Sequence, residues 1–204
     1  LMEFKLKIKG EEILPISHNL VGFGEIKDIK TLYLHPQTYE QCELFIKKSL
    51  PKAEIIQTSS NGKSAELLAK SKDKTKSAII PKIAVDLYKL KILQKDVQNN
   101  RFNVTRFFVI AKEDGKKTGY DRTSVAIYPQ IDRPGLLYEM LGEFAKRKIN
   151  LTKIESRPSK GKLGDYIFYI DFQGHKTEKN VAEALKQLEK SFFVTILGSY
   201  PRKY

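Results

Sequence analysis

The sequence predicts an α/β lobe with a mainly parallel sheet, followed by a smaller α+β domain of order βαββαβ, and three observations carry that prediction. Up to residue 111, short apolar runs alternate with segments of helical periodicity. The stretch 111–122, charged and holding Gly115 and Gly119, interrupts the pattern as a linker does. After it, two amphipathic helices stand among four strand-like runs. The expected division is a first domain over 1–111, a linker over 112–122 and a second domain over 123–204.

The elements follow in order. Phe4, Leu6 and Ile8 alternate with Lys5, Lys7 and Lys9, so the chain, opening Leu1-Met2-Glu3 without a polar leader, reads as starting inside a strand. Val21-Gly22-Phe23-Gly24 lacks the third glycine and following helix of a dinucleotide fingerprint and reads as a turn. Thr31-Leu32-Tyr33-Leu34 is a strand, 38–50 a helix with Leu44, Phe45 and Ile46 inward, and 54–58 a strand. A helix over 63–70 with Ala65, Leu68 and Ala69 on one side, a strand Ser77-Ala78-Ile79-Ile80 and a short helix over 83–88 after Pro81 complete the alternation. The run Phe107-Phe108-Val109-Ile110 within 105–111 has the composition of a buried strand. In the second domain the strands are 123–128, 151–156, 166–172 and 193–197. The helices are 135–148, with Leu137, Met140, Leu141 and Phe144 inward, and 178–190, with Val181, Ala184, Leu185 and Leu188 inward. That order is the ferredoxin-like one.

Composition narrows the function classes. A single cysteine, Cys42, allows no internal disulfide, which fits a reducing cytoplasm. No apolar window approaches the ~18 residues of a membrane span, so no membrane partner is expected. The net charge of +13 raises the question of nucleic acid. The lysines are scattered, mixed with acids in stretches such as Lys70-Ser71-Lys72-Asp73-Lys74, and no nucleic-acid motif accompanies them, so no such partner is expected. His18, His35 and His175 pair with no cysteine or carboxylate at ligand spacing, so no metal site is assigned.

Asn103-Val104-Thr105-Arg106-Phe107, and further on Glu155-Ser156-Arg157-Pro158 preceded by Asn150-Leu151, resemble two signatures of the prephenate dehydratase family. In that family the first closes the catalytic domain and the second belongs to a regulatory ACT domain. The resemblance extends to Leu34-His35-Pro36-Gln37 with Gln41-Cys42, to Thr58-Ser59-Ser60-Asn61, and to the segment from Glu11 to Leu20. It departs at Leu34, where the family has Ser, and at Asn61, where a hydroxyl is expected. The family's glycine-rich opening strand and Glu-Asn segment have no counterpart in these 204 residues.

The resemblance implies that 1–111 is a periplasmic-binding-protein-like second lobe and 123–204 an ACT domain. It further implies dehydration with decarboxylation of prephenate to phenylpyruvate, without cofactor. In that reading Thr105 is the catalytic hydrogen-bond donor to the departing hydroxyl, effective in a dry site. Arg106 is suited to pair a carboxylate, and Asn103, Phe107, Ser60 and Asn61 contact substrate. Ser60 and Asn61 also suit capping of a helix, whose exposed N–H groups attract anions. L-Phenylalanine is the implied effector. It would be bound by Pro134, Gly135, Leu136 and Leu137 in the string Asp132-Arg133-Pro134-Gly135-Leu136-Leu137, and by Asn150, Leu151, Glu155, Ser156, Arg157 and Pro158. ACT pairing implies an isologous homodimer, and a tetramer made by further pairing of dimers is left open by the sequence.

Two other readings compete. One is a non-catalytic phenylalanine-binding module with a vestigial lobe, against which the joint retention of Asn103, Thr105 and Arg106 counts. The other, preferred from the sequence, is that the 204 residues are part of a longer chain. It predicts exposed apolar surface around Phe107 to Ile110, with self-association.

Overall fold

The computed structural model describes residues 4–100, 102–131, 133–159 and 166–204. The chain divides into two units, Leu14–Thr105 and Leu1–Ile13 with Arg106–Tyr204. Strand β1 (Lys7–Pro15) begins later than the alternation predicts. Lys5 has a positive φ of 52°, which ends extended backbone there, and Phe4 is exposed.

In the unit Leu14–Thr105 the elements are β2 (His18–Gly22), β3 (Thr31–Leu34), α1 (Pro36–Ser49), β4 (Glu54–Gln57), α2 (Asn61–Ser71), β5 (Lys76–Pro81), α3 (Lys82–Tyr88) and β6 (Ile92–Gln94). They form one five-stranded sheet of order β4-β3-β5-β2-β6. The sheet is mixed, where the sequence predicts a mainly parallel one. β3 pairs in parallel with β4 and β5, whereas β2 is antiparallel to both β5 and β6. The strands joined through α1, α2 and α3 do run one way, as helical crossovers require. β2 has no helix before it and is inserted in the opposite sense.

Strand alternation splits the core into two layers. Leu20, Leu32, Leu34 and Ile79 pack with Cys42 and Ile46 of α1 on one face, and Val21, Tyr33, Ala78 and Ile80 with Ala65 and Leu68 of α2 and Ala84 and Val85 of α3 on the other. Leu44, expected inside, is 68% exposed. The buried positions on α1 are Thr38, Cys42 and Ile46, and Leu44 lies two residues from Cys42, on roughly the opposite side of the helix. Burial pushes the Cys42 thiol up to about 12. We therefore expect no alkylation of Cys42 by iodoacetamide in the folded chain and complete alkylation in denaturant, read by mass spectrometry. Rapid modification without denaturant contradicts the packing of α1.

In the second unit β7 (Val104–Ala111), which starts in the first, pairs with β1 as a two-stranded ribbon. The run 107–110 is a strand, as expected, but it is not buried: Phe107, Phe108, Val109 and Ile110 are 39% to 52% exposed. A strand with one neighbour cannot bury both faces, which agrees with the expectation of exposed apolar surface here.

The rest is β8 (Asp121–Pro129), α4 (Leu136–Ala145), β9 (Leu151–Pro158), β10 (Tyr166–Gln173), α5 (Lys179–Leu188) and β11 (Phe192–Pro201). The antiparallel sheet has order β11-β8-β10-β9, the βαββαβ arrangement expected. Its helix-covered face buries Val125, Ile127, Ile170 and Phe172 against Val181, Ala184, Leu185 and Leu188 of α5, all four as predicted. On α4 the inward stripe is Leu136, Met140 and Phe144, while Leu137 is 41% exposed. Met140 and Phe144 are inward as predicted, Leu136 is buried where Leu137 is expected, and Gly135, in the left-handed region at φ 84°, stands at the N-cap of this helix. On the opposite face Ile8 packs with Ala126, Leu197 and Tyr200. Gly198 allows that approach, since a Cβ there would lie 2.2 Å from the Ile8 carbonyl oxygen.

Candidate functional site

Within Leu14–Thr105, one edge of the sheet gathers the polar side chains. β3, β4 and β5 end there at Leu34, Gln57 and Pro81, and β2 begins there, with His18 opposite Pro81. α1 leaves β3 toward one face and α3 leaves β5 toward the other, so the ends of the adjacent strands β3 and β5 form a topological switch point, where open α/β sheets bind ligands. His35 caps α1, its Nδ1 accepting from the Gln37 N–H at 3.2 Å, and the Ser60 Oγ caps α2 by accepting from the Lys63 N–H at 3.1 Å. The Thr38 hydroxyl donates to Asn61 Oδ1 at 2.8 Å and so ties the two helix starts together. Thr58 Oγ1 donates to the Ser60 carbonyl at 3.0 Å and lies 2.7 Å from Ser64 Oγ. Ser60 is thus the cap of α2, and Asn61, the first residue of the helix, serves as a bridge to α1 through its side-chain oxygen.

The same edge continues along α1 into a cleft of about 310 Å³ lined by Glu40, Gln41, Gln98, Asn99, Asn100 and Asn103. Asn99 clamps α1 here. Its Nδ2 donates to the Glu40 carbonyl at 3.1 Å, its Oδ1 accepts from the Leu44 N–H at 3.1 Å, and its own N–H donates to the Gln41 carbonyl at 2.7 Å. The Asn103 carbonyl accepts from the Ile16 N–H at 2.9 Å, which leaves the Asn103 side chain to the cleft. The lining is rich in amides and carries Glu40 as its one charged residue, so it offers hydrogen bonds rather than a cation. Thr105 follows two residues later on β7 and is exposed. His18, Thr38, Gln41, Gln98 and Asn99 were not foreseen as members of this edge. The strings holding His18 and Gln41 were conspicuous, but nothing in them says that two residues 23 apart meet.

Arg106 is engaged elsewhere, within the second unit. Its Nη2 donates to Asp171 Oδ2 at 2.5 Å, its Nη1 lies 3.5 Å from Glu11 Oε2, and its guanidinium stands 4.7 Å from the Phe108 ring centroid. Burial works to lower its pKa, but the hydrogen bond and charge of Asp171 outweigh that and hold it above the usual arginine range. Phe107 is half exposed.

The expected effector residues lie at two places in the same unit. Pro134 and Gly135 are exposed before α4, Leu136 is core and Leu137 faces outward; Asp132, which opens their string, lies outside the described residues. Leu151 packs on the core, and Asn150 is exposed with its carbonyl accepting from Gln173 N–H at 2.9 Å. Glu155, Ser156, Arg157 and Pro158 lie on the edge strand β9. A bulge between Asp171 and Phe172 resets the pleat, so Lys153, Glu155 and Arg157 line a cavity of about 260 Å³ on the face away from the helices, with Ser124, Tyr169 and Asp171. Ser156 and Pro158 alternate to the other face. Glu155 is paired with Lys153 at 2.7 Å and Arg157 at 2.6 Å, and hydrogen bonds from both hold its carboxyl below the usual range.

Among the described residues no group of three or more His, Cys, Asp or Glu side chains is arranged to hold a metal ion, and no helix is long and apolar enough to cross a membrane.

Comparison with known proteins follows the same division. The family model described as prephenate dehydratase matches residues 1–115, and that of the ACT domain matches 130–190. The chain is 44% identical over 205 residues to a prephenate dehydratase of Methanocaldococcus jannaschii, covering 98% of this chain and 74% of that protein. It is 42% identical over 203 residues to a bifunctional chorismate mutase/prephenate dehydratase of Aquifex aeolicus, covering 98% of this chain but only 55% of that one. Among solved structures, prephenate dehydratase from Arthrobacter aurescens in complex with L-Phe superposes with a TM-score of 0.86 at 37% identity, over 97% of this chain and 66% of that one.

Proposed function

The chain belongs to the prephenate dehydratase family, and from that premise we propose that it converts prephenate to phenylpyruvate, carbon dioxide and water in phenylalanine biosynthesis. The observation that carries the reading is the convergence, at one sheet edge, of Asn103, Ser60 and Asn61 with the polar cleft beside Gln41. The exposed N–H groups at the start of α2 and the amides of the cleft suit the carboxylates and hydroxyl of prephenate. Thr105 is the donor to the departing hydroxyl, and Asn103, Phe107 and Arg106 complete the contacts. Arg106 would first have to exchange Asp171 for a substrate carboxylate. No cofactor enters, and the setting is the cytoplasm. In domain terms, 1–111 is the catalytic part, 112–122 the linker and 123–204 the regulatory part.

L-Phenylalanine, the ligand of the Arthrobacter protein, is the proposed effector. It would contact Pro134, Gly135, Leu136 and Leu137 together with Asn150, Leu151, Glu155, Ser156, Arg157 and Pro158, at a homodimer interface between ACT domains. Feedback requires that the effector bind one of two arrangements better than the other.

One observation favours a second reading, a phenylalanine-binding module without turnover. Thr105 is exposed, and a hydroxyl open to water is a weaker donor than one in a dry site. Purified chain incubated with prephenate should form phenylpyruvate and slow on addition of phenylalanine. Phenylalanine binding by calorimetry with no phenylpyruvate formed selects the second reading, and neither effect removes both.

A further inference from the structure

His18 is 3% exposed, at the start of β2, and its imidazole sees one partner, Gln41 Oε1, 2.7 Å from Nε2. The other nitrogen, Nδ1, is buried and makes no hydrogen bond among the described residues. That asymmetry identifies the proton. A buried N–H without an acceptor is rarer and costlier than an unused acceptor lone pair, so the hydrogen belongs on Nε2 and is donated to Gln41. Burial also holds the ring below its ordinary pKa, although the Gln41 bond works the other way.

The consequence falls on Gln41. With its oxygen committed to His18, the amide nitrogen points its two N–H groups elsewhere, and it makes no hydrogen bond among the described residues. Gln41 lines the cleft with Asn103, Gln98 and Asn99. Its backbone is held as well, since its carbonyl accepts from Asn99 N–H at 2.7 Å. The strand bearing His18 is tied to the same wall through its N–H to Gln98 Oε1 at 3.0 Å and its carbonyl from Val97 N–H at 2.9 Å. A free glutamine amide flips between two faces of similar shape; one with its oxygen fixed presents donors only.

We propose that His18 is a positioning residue. Through its Nε2–H it locks the Gln41 amide so that both amide N–H groups face the cleft beside Asn103 and receive an anionic oxygen of the substrate. The substrate part of this inference rests on the dehydratase reading, while the orientation part stands without it.

Two measurements on the 204-residue chain decide the matter. Nitrogen-15 NMR of the imidazoles, with His18 assigned by loss of its signal in His18→Gln among only three histidines, should show the Nε2–H form and a Gln41 side-chain amide signal that shifts in His18→Ala. An Nδ1–H ring, or a Gln41 signal unmoved in His18→Ala, overturns the orientation. Prephenate titration by calorimetry should then show binding weakened about tenfold in His18→Ala and in Gln41→Leu, and no further in the double variant, with His18→Gln within about threefold of the parent. Additive losses, or unchanged affinity in a His18→Ala chain whose circular dichroism melt is intact, overturn the positioning role. If the parent chain fails to bind prephenate, the dehydratase reading of this edge fails, while the NMR measurement still decides the orientation.

Discussion

Glu11→Ala is expected to destabilise the unit formed by Leu1–Ile13 and Arg106–Tyr204 by about 3–5 kcal/mol, the cost of leaving a buried charge without its partner. Arg122 has no exposed surface, and its Nη1 reaches both Glu11 oxygens, at 2.8 and 2.6 Å. Glu11 is itself 1% exposed and also accepts from the Lys203 N–H at 2.9 Å. Beside them Asp171 takes Arg106 and accepts from the Ser124 hydroxyl at 2.6 Å, while Ser124 meets the Tyr200 hydroxyl at 2.7 Å. Two carboxylates against two guanidiniums make a neutral cluster in which every carboxylate oxygen has a donor. Removing Glu11 breaks the balance, and the Arg122 guanidinium must then find water or distort the sheet. In a unit of roughly 110 residues the loss corresponds to a fall in melting temperature of about 13–21 °C.

The diagnostic comparison is the double variant Glu11→Leu with Arg122→Met. It removes both charges and should come within about 1 kcal/mol of the parent, or exceed it. Thermal and urea unfolding read both values. A double variant as unstable as Glu11→Ala would mean that the cost lies in lost packing, and that the ion pair contributes little.

The second large effect concerns chemistry. Thr105→Ala is expected to lower prephenate turnover about 10²–10³-fold, the range for removing one preorganised donor from a transition state. Substrate affinity should change no more than about threefold, because the donor acts mainly on the charge that develops as the hydroxyl leaves. Thr105→Ser keeps the hydroxyl and should retain turnover within about tenfold of the parent. Steady-state rates of phenylpyruvate formation separate the cases. A Thr105→Ala chain that turns over within threefold of the parent removes Thr105 from the catalytic role. Equal losses in the alanine and serine variants point instead to packing of β7.

Much of the fold was legible in the sequence because it is written in short-range periodicity. The α5 stripe of Val181, Ala184, Leu185 and Leu188 is an i, i+3, i+4, i+7 pattern, the Ser60 cap precedes its helix directly, and the order of strands and helices follows from runs a few residues long. Where the reading missed, the deciding partner was outside the window. Leu44 and Leu137 are apolar and on helices, but which side of each helix meets the core decides whether they are buried. The run 107–110 has the residues of a buried strand, yet burial depends on how many neighbours the strand has.

The same limit applies to the candidate sites. Family-like strings pointed to Asn103, Thr105 and the residues around Asn61 and Glu155. No string could show that Arg106 is taken by an aspartate 65 residues away, that Glu11 holds an arginine 111 residues away, or that His18 meets Gln41. The sequence by itself determined the elements, their order and the family, because helices, strands and caps are chosen by neighbours in the chain. The tertiary structure alone decided which charged and polar side chains are buried together. Desolvation and ion pairing act between groups that only folding brings within reach, and no local pattern encodes that distance.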